Sequence, residues 1–371
     1  MIFRAFGMWS SRDNVFSSPF EPNCPKGNCT SPDFRLQNVA AVLAGGPYGP
    51  SDGIGRLNKQ LIMRSCRSDG VLLKVSRDTC RGTATCHSLS TAAPQTLGLT
   101  CSLLLLKADR PLATTDAELL TKFSADHSGR SAAAAGAFRG HVWATHSALP
   151  GAGPKNEDEV EATWHYVLSV DTTADLPLTV ADLTSGGGGG EKTGGKCDYM
   201  ILDFWASNGS APSASSLSAV KSGAKFIVPT SPPPSVVVPP SSSGTYQVLS
   251  PVLPGGWCLL GEAEKIVSAS NHRFSALSAS ANGSTFSVGV SAASGEAVAV
   301  WVLLPAATHR LLASTSATAG EDANVNVKAG LQQVLCRAPK CEGEDCATAM
   351  RLSCIAEPQS GRNSHCICAV G

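Results

Sequence analysis

The sequence has no excess of charge: 29 Lys and Arg balance 29 Asp and Glu over 371 residues, for a formal net charge of zero. Nothing in that balance draws the chain broadly to nucleic acid or to an anionic membrane surface. It also lacks a long apolar run, since no stretch approaches the roughly 18 residues that a membrane helix needs. The first nine residues are apolar but short and broken by Arg4, so they do not read as a secretory signal. Aromatic residues are scarce at 6%, which argues for short strands and long loops over helix bundles. No glycine-rich phosphate loop follows a strand with a helix behind it, and no Gly-x-Ser-x-Gly elbow stands at a strand–helix junction. Cys336, Cys341 and Cys346 are spaced by four intervening residues, and Cys366 and Cys368 by one, which is not the paired two-residue spacing of zinc ribbons. His141, His146 and His165 make no metal spacing either. Neither a metal nor a cofactor is expected.

What the chain does hold is cysteine, 14 in all. Cys24 and Cys29 flank a small loop, and six crowd the tail from Cys336 to Cys368. Three Asn-x-Ser/Thr triplets begin at Asn28, Asn208 and Asn282. Together these features point to an oxidising, secretory setting, whereas the missing signal points to the cytoplasm. The expectation that reconciles them is that Met1 is not the biological start. The tail is expected to be a small appendage stapled by disulfides among its own cysteines, because a short polar segment buries too little apolar surface to hold a fold otherwise.

The most patterned stretch is 34–73. Leu36, Val39, Ala40 and Leu43 fall at i, i+3, i+4 and i+7, the buried stripe of a helix. Ser31-Pro32-Asp33 supplies an N-cap, a first-turn proline and a first-turn acid, and Gly45-Gly46 ends the run. Residues 47–55 hold two prolines, three glycines, Tyr48 and Asp52, a composition that excludes a helix interior and lets backbone approach a ligand. Leu57, Gln60, Leu61 and Arg64 then resume a helical rhythm. Helix, short extended piece with a polar loop, helix is how the last turns of a β/α barrel read. On pattern alone, Asp52 is an ordinary turn aspartate.

From Gly140 the period changes to alternation. Strands are expected at 141–145, 163–170, 178–183, 197–205, 246–253, 257–260, 273–278, 285–290, 297–304 and 324–328, separated by Gly, Ser, Asn and Pro turns, as in an all-β sandwich. Two low-complexity insertions, around 186–190 and 231–243, read as surface loops. The expected fold is therefore α+β: the C-terminal end of a partial (β/α) barrel over 1–78, a connector over 79–135 with a helix near 116–124, an antiparallel sandwich over 136–335, and a Cys-rich tail over 336–371.

Three blocks taken together resemble the C-terminal portion of the α-galactosidase and raffinose synthase group of glycoside hydrolases. They are Trp9-Ser10-Ser11-Arg12-Asp13-Asn14; the run from Leu36 to Leu73 with its Gly-Gly, Tyr48, Ser51-Asp52 and Ser68-Asp69-Gly70-Val71-Leu72-Leu73; and a trailing β domain with Tyr246, Gly255-Gly256-Trp257, Leu260-Gly261-Glu262 and 265–274. The resemblance implies an enzyme acting on α-galactosides, with Asp13 as acid/base and Trp9, Tyr48 and Asp52 in substrate binding. The oligosaccharide would be the partner, with neither nucleic acid nor membrane involved. The chain departs from the group where Arg12 is interposed before Asp13. No Lys-x-Asp strand precedes Trp9 to supply a nucleophile, and a retaining glycosidase needs two carboxyl groups about 5–5.5 Å apart. The 371-residue chain is therefore expected to be inactive alone. The alternative is a non-catalytic, secreted carbohydrate-binding or structural β-sandwich.

Overall fold

The computed structural model describes residues 12–18, 34–43, 48–75, 141–149, 162–170, 175–180, 183, 197–205, 212–229, 244–314, 330–339, 348–355 and 365–370. The expectations for Trp9, the Cys24/Cys29 loop, the 79–135 connector, the two low-complexity insertions and a strand at 324–328 lie outside the described residues.

The chain opens with β1 (Arg12–Val15), α1 (Phe34–Leu43), β2 (Tyr48–Pro50) and α2 (Lys59–Met63). β1 and β2 pair in parallel, with Arg12 opposite Tyr48 and Val15 opposite Pro50. Parallel neighbours cannot be joined by a tight hairpin and need a crossover; here it contains α1. The expected stripe of Leu36, Val39, Ala40 and Leu43 is buried, but so are Asn38, Ala41 and Val42, so α1 is covered on more than one face. The buried Asn38 amide is matched on its donor side: its Nδ2 donates to the carbonyls of Phe16 and Phe34, each at 2.6 Å. α2 is shorter than the helical rhythm suggests, because residues 65–73 fold back as a tight hairpin whose Leu73 N donates to Ser65 O at 2.9 Å. A βαβ unit is what the described residues hold of the expected barrel end; two strands do not make a barrel, and none is shown.

The remaining strands are β3 (His141–Leu149), β4 (Ala162–Val170), β5 (Leu176–Thr179), β6 (Tyr199–Asp203), β7 (Leu217–Val220), β8 (Lys225–Val228), β9 (Gly244–Pro251), β10 (Cys258–Gly261), β11 (Phe274–Ala279), β12 (Thr285–Ala292), β13 (Ala297–Leu303), β14 (Leu331–Arg337), β15 (Thr348–Ile355) and β16 (His365–Val370), with α3 (Pro305–Ser314) after β13. They form sheets ordered β3-β4-β9-β6-β7, β10-β13-β14 and β11-β12-β15-β16, with β5-β8 as a separate pair. Every pairing among them is antiparallel, which is consistent with the expected β-sandwich.

Alternation along β4 decides how the layers stack. Trp164, Tyr166 and Leu168 join a large core with α1, β10, β12 and β13. Val167, between them, joins a second core with Phe226 and Val228 of β8. The five-stranded sheet is thus covered on both faces, and β9 at its centre is buried along its whole length. Each large apolar side chain sunk in this way contributes on the order of 1.5–3 kcal/mol. The indole of Trp164 stays satisfied by donating from Nε1 to Leu259 O at 2.8 Å. At the seam with the βαβ unit, a Cβ on Gly244 would stand 3.0 Å from Leu36 and 2.6 Å from Ser169 O, so the close approach of α1 to β9 requires glycine there.

The Cys-rich tail is not a separate appendage. β15 pairs with β12 over eight residues and β16 pairs with β15, so both strands extend the sandwich. Met350, Leu352 and Cys354 alternate into the core. Within the tail, Cys354–Cys366 bridges β15 to β16, and Cys336–Cys368 joins β14 of one sheet to β16 of another. These two bonds pair tail cysteines with one another, as expected; Cys341 and Cys346 lie outside the described residues.

Candidate functional site

The C-terminal ends of parallel strands are where β/α folds place their ligand loops, and here that end is built around Asp52. Its two carboxylate oxygens accept from Ser17 N at 3.0 Å each, from Ser18 N at 2.9 Å and from Ser17 Oγ at 2.7 Å. Ser17 Oγ in turn accepts from Asn58 N at 2.8 Å. Asn58 caps α2, its Oδ1 accepting from Leu61 N at 3.1 Å. One carboxylate, 34 and 35 residues away in sequence, therefore clasps the loop after β1 to the loop after β2 and to the start of α2. A carboxylate suits the task because it only accepts, and the loop offers it N–H and O–H donors. Ser18 is buried, and its hydroxyl has no partner among the described residues. Asp13 lies on β1 one residue past the partner of Tyr48, so the two sit on adjacent strands of this small sheet. The structure brings Asp13, Tyr48 and Asp52 into one βαβ unit; Trp9 lies outside the described residues.

The unit is anchored to the β domain by a second set of polar contacts. Lys265 Nζ donates to Met63 O at 2.7 Å and Cys66 O at 2.8 Å, placing a cation where the end of α2 presents its carbonyls. Ile266 N donates to Arg64 O at 3.0 Å, and Ser270 Oγ to Lys74 O at 2.8 Å. The Ser68-Asp69-Gly70 turn is held by Asp69, which accepts from Arg67 Nη2 at 2.6 Å and from Val71 N at 3.2 Å. The two Ser-Asp-Gly triplets thus do different work: the first joins strand ends and the second closes a hairpin.

Beneath that hairpin lies Arg273, whose side chain is fully buried. Its Nε donates to Glu262 at 2.6 Å, and Nη1 and Nη2 grip Glu296 at 2.9 and 2.8 Å; Nη1 also reaches Ser291 O at 2.6 Å. Glu296 further accepts from Ala293 N at 2.8 Å and Ser68 N at 3.0 Å. Burial pushes the Glu296 carboxyl up, but Arg273 and the two backbone donors outweigh it and hold the group at about 2. Glu262 goes the other way, because burial outweighs the pull of Arg273 and Lys265. The asymmetry follows from the donor count: Glu296 has four short bonds and Glu262 is gripped by one guanidinium nitrogen. Sequence reasoning missed this triad. The available signal was a pair of glutamates and an arginine beside strands that are otherwise apolar.

On the opposite side of the five-stranded sheet, His146 and His165 are cross-strand neighbours with ring centroids 6.2 Å apart, and Tyr199 lies 5.6 Å from His165. Burial lowers both imidazoles; His165, which also feels His146, is brought down to about 3. Among the described residues no group of three or more His, Cys, Asp or Glu could hold a metal ion, and no helix is long and apolar enough to cross a membrane. No protein-family model matches the chain, and no curated protein matches it.

Proposed function

We propose that this chain is part of a carbohydrate-active protein, a glycoside hydrolase or galactosyl-transferring protein acting on α-galactosides. The observation that carries the reading is the β1–α1–β2 unit whose two C-terminal loops are clasped by Asp52 and which is docked on an antiparallel β domain. This is the arrangement that the last turns of a β/α barrel with a trailing sandwich require. In this reading Asp13 is the acid/base, Trp9 and Tyr48 flank the sugar, and Asp52 sets the loops that present it. A single acid/base carboxylate does not complete a retaining pair, so residues 1–371 alone are proposed to bind α-galactosides without turning them over. The two cystines fit a secreted or secretory-pathway protein. A second reading, a non-catalytic sugar-binding β-sandwich, is favoured by the predominance of antiparallel strands among the described residues.

Isothermal titration with melibiose, raffinose and maltose separates the two. The proposal expects the α-galactosides, and not maltose, to bind, with Asp13→Asn and Tyr48→Ala weakening them. Binding indifferent to both substitutions supports the sandwich reading, and no binding of any of these sugars overturns the proposal.

A further inference from the structure

The triplet Asn282-Gly283-Ser284 lies in the turn between β11 and β12 and belongs to neither set of contacts described above. The turn is closed by Ser280 N donating to Thr285 O at 2.9 Å, Gly283 N to Ser280 O at 3.0 Å and Thr285 N to Ser280 Oγ at 2.8 Å. Gly283 has φ +71 and is packed under the tip, where a Cβ would stand 2.6 Å from Gly255 O. Its neighbour Asn282 is exposed. Asn282 Oδ1 accepts from Ser284 N at 3.0 Å and from Ser284 Oγ at 2.7 Å. The amide oxygen is therefore committed to the turn, while Nδ2 has no partner among the described residues. A large polar substituent on Nδ2 would extend into solvent without displacing any core side chain. Two tail cystines, one of them within the same sheet as this hairpin, fit a chain that matures where thiols are oxidised. Asparagine is glycosylated at such triplets in that setting.

We propose that Asn282 is an N-glycosylation site that receives an oligosaccharide from a lipid-diphosphate-linked donor. Nδ2 forms the new bond to the anomeric carbon of the donor's reducing-end sugar. The bond from that carbon to the diphosphate oxygen breaks, the lipid diphosphate leaves with the electron pair, and the amide proton passes to a base of the transferase. The glycan then caps the β11–β12 turn. This inference does not depend on the carbohydrate-active reading.

The test uses the full chain isolated from the cells that make it. Treatment with a peptide-N-glycosidase in heavy-oxygen water converts a glycosylated asparagine to labelled aspartate, which peptide mass spectrometry locates. The expected result is label at position 282, lost in Ser284→Ala and retained in Ser284→Thr. An unlabelled Asn282 peptide overturns the proposal, whether the Cys354–Cys366 and Cys336–Cys368 bonds in the same sample are oxidised or reduced.

Discussion

Replacing Arg273 by methionine removes the one cation shared by two buried glutamates while roughly keeping side-chain length. The wild-type guanidinium makes bonds of 2.6 to 2.9 Å to Glu262, Ser291 and Glu296. Without it Glu296 keeps only its two backbone donors and Glu262 only the pull of Lys265, and breaking a buried pair by deleting one partner costs about 3–5 kcal/mol. The loss is expected as a fall in the guanidinium midpoint at an unchanged slope. The cost should shrink as the pH drops from 7 towards 5. With Arg273 gone, the folded-state carboxyl groups titrate above their unfolded value, so protonation favours the folded chain. Adding Glu262→Leu and Glu296→Gln should restore at least half of the loss, since it removes both buried charges while the glutamine oxygen still accepts from one of Ser68 N and Ala293 N, which bond to different oxygens of Glu296. A single-variant loss below about 1 kcal/mol, or no gain on acidification, would refute the reasoning that the triad is a desolvated charge network.

Asp52→Asn turns an acceptor-only group into one with a donor facing Ser17 N or Ser18 N, and should cost about 1.5–3 kcal/mol; hydrogen exchange should show the protection lost first in 16–18 and 58–61. His165 is neutral in the folded chain down to about 3 but binds a proton near 6.5 when unfolded. Stability therefore falls as pH drops through that window, by about 2 kcal/mol between pH 7 and pH 5, and His165→Gln should flatten the profile in urea titrations. Opening Cys336–Cys368, which closes a sequence separation of 32 residues, should cost about 3–4 kcal/mol on the chain-entropy account. A Cys336→Ala/Cys368→Ala double variant read by thermal melting checks that value.

Much of the β domain was legible because a strand with one or two buried faces writes its pattern locally. Trp164, Tyr166 and Leu168 announce β4 by alternation, and the Leu36 stripe announces α1. What escaped notice had weaker or masked patterns. β7 and β8 are four residues each, with only two of the four side chains in each fully buried. β15 alternates as clearly as β4, yet the density of cysteines around it reads locally as a disulfide-stapled appendage. The site was less legible still. The bonds from Asp52 to Ser17 and Ser18 span 35 and 34 residues, and that from Ser68 to Glu296 spans 228. No local periodicity encodes which distant donor a side chain will meet. A turn aspartate in a Gly/Pro loop reads alike whether it caps its own turn or clasps another strand end.

Hydrogen exchange of the 371-residue chain with and without raffinose shows whether the clasped strand ends hold sugar. Raffinose-dependent protection is expected at the ends of β1 and β2, in residues 12–18 and 48–58, together with its loss in Asp13→Asn. Protection confined to the antiparallel strands between His141 and Val370, or none at saturating sugar, would contradict it.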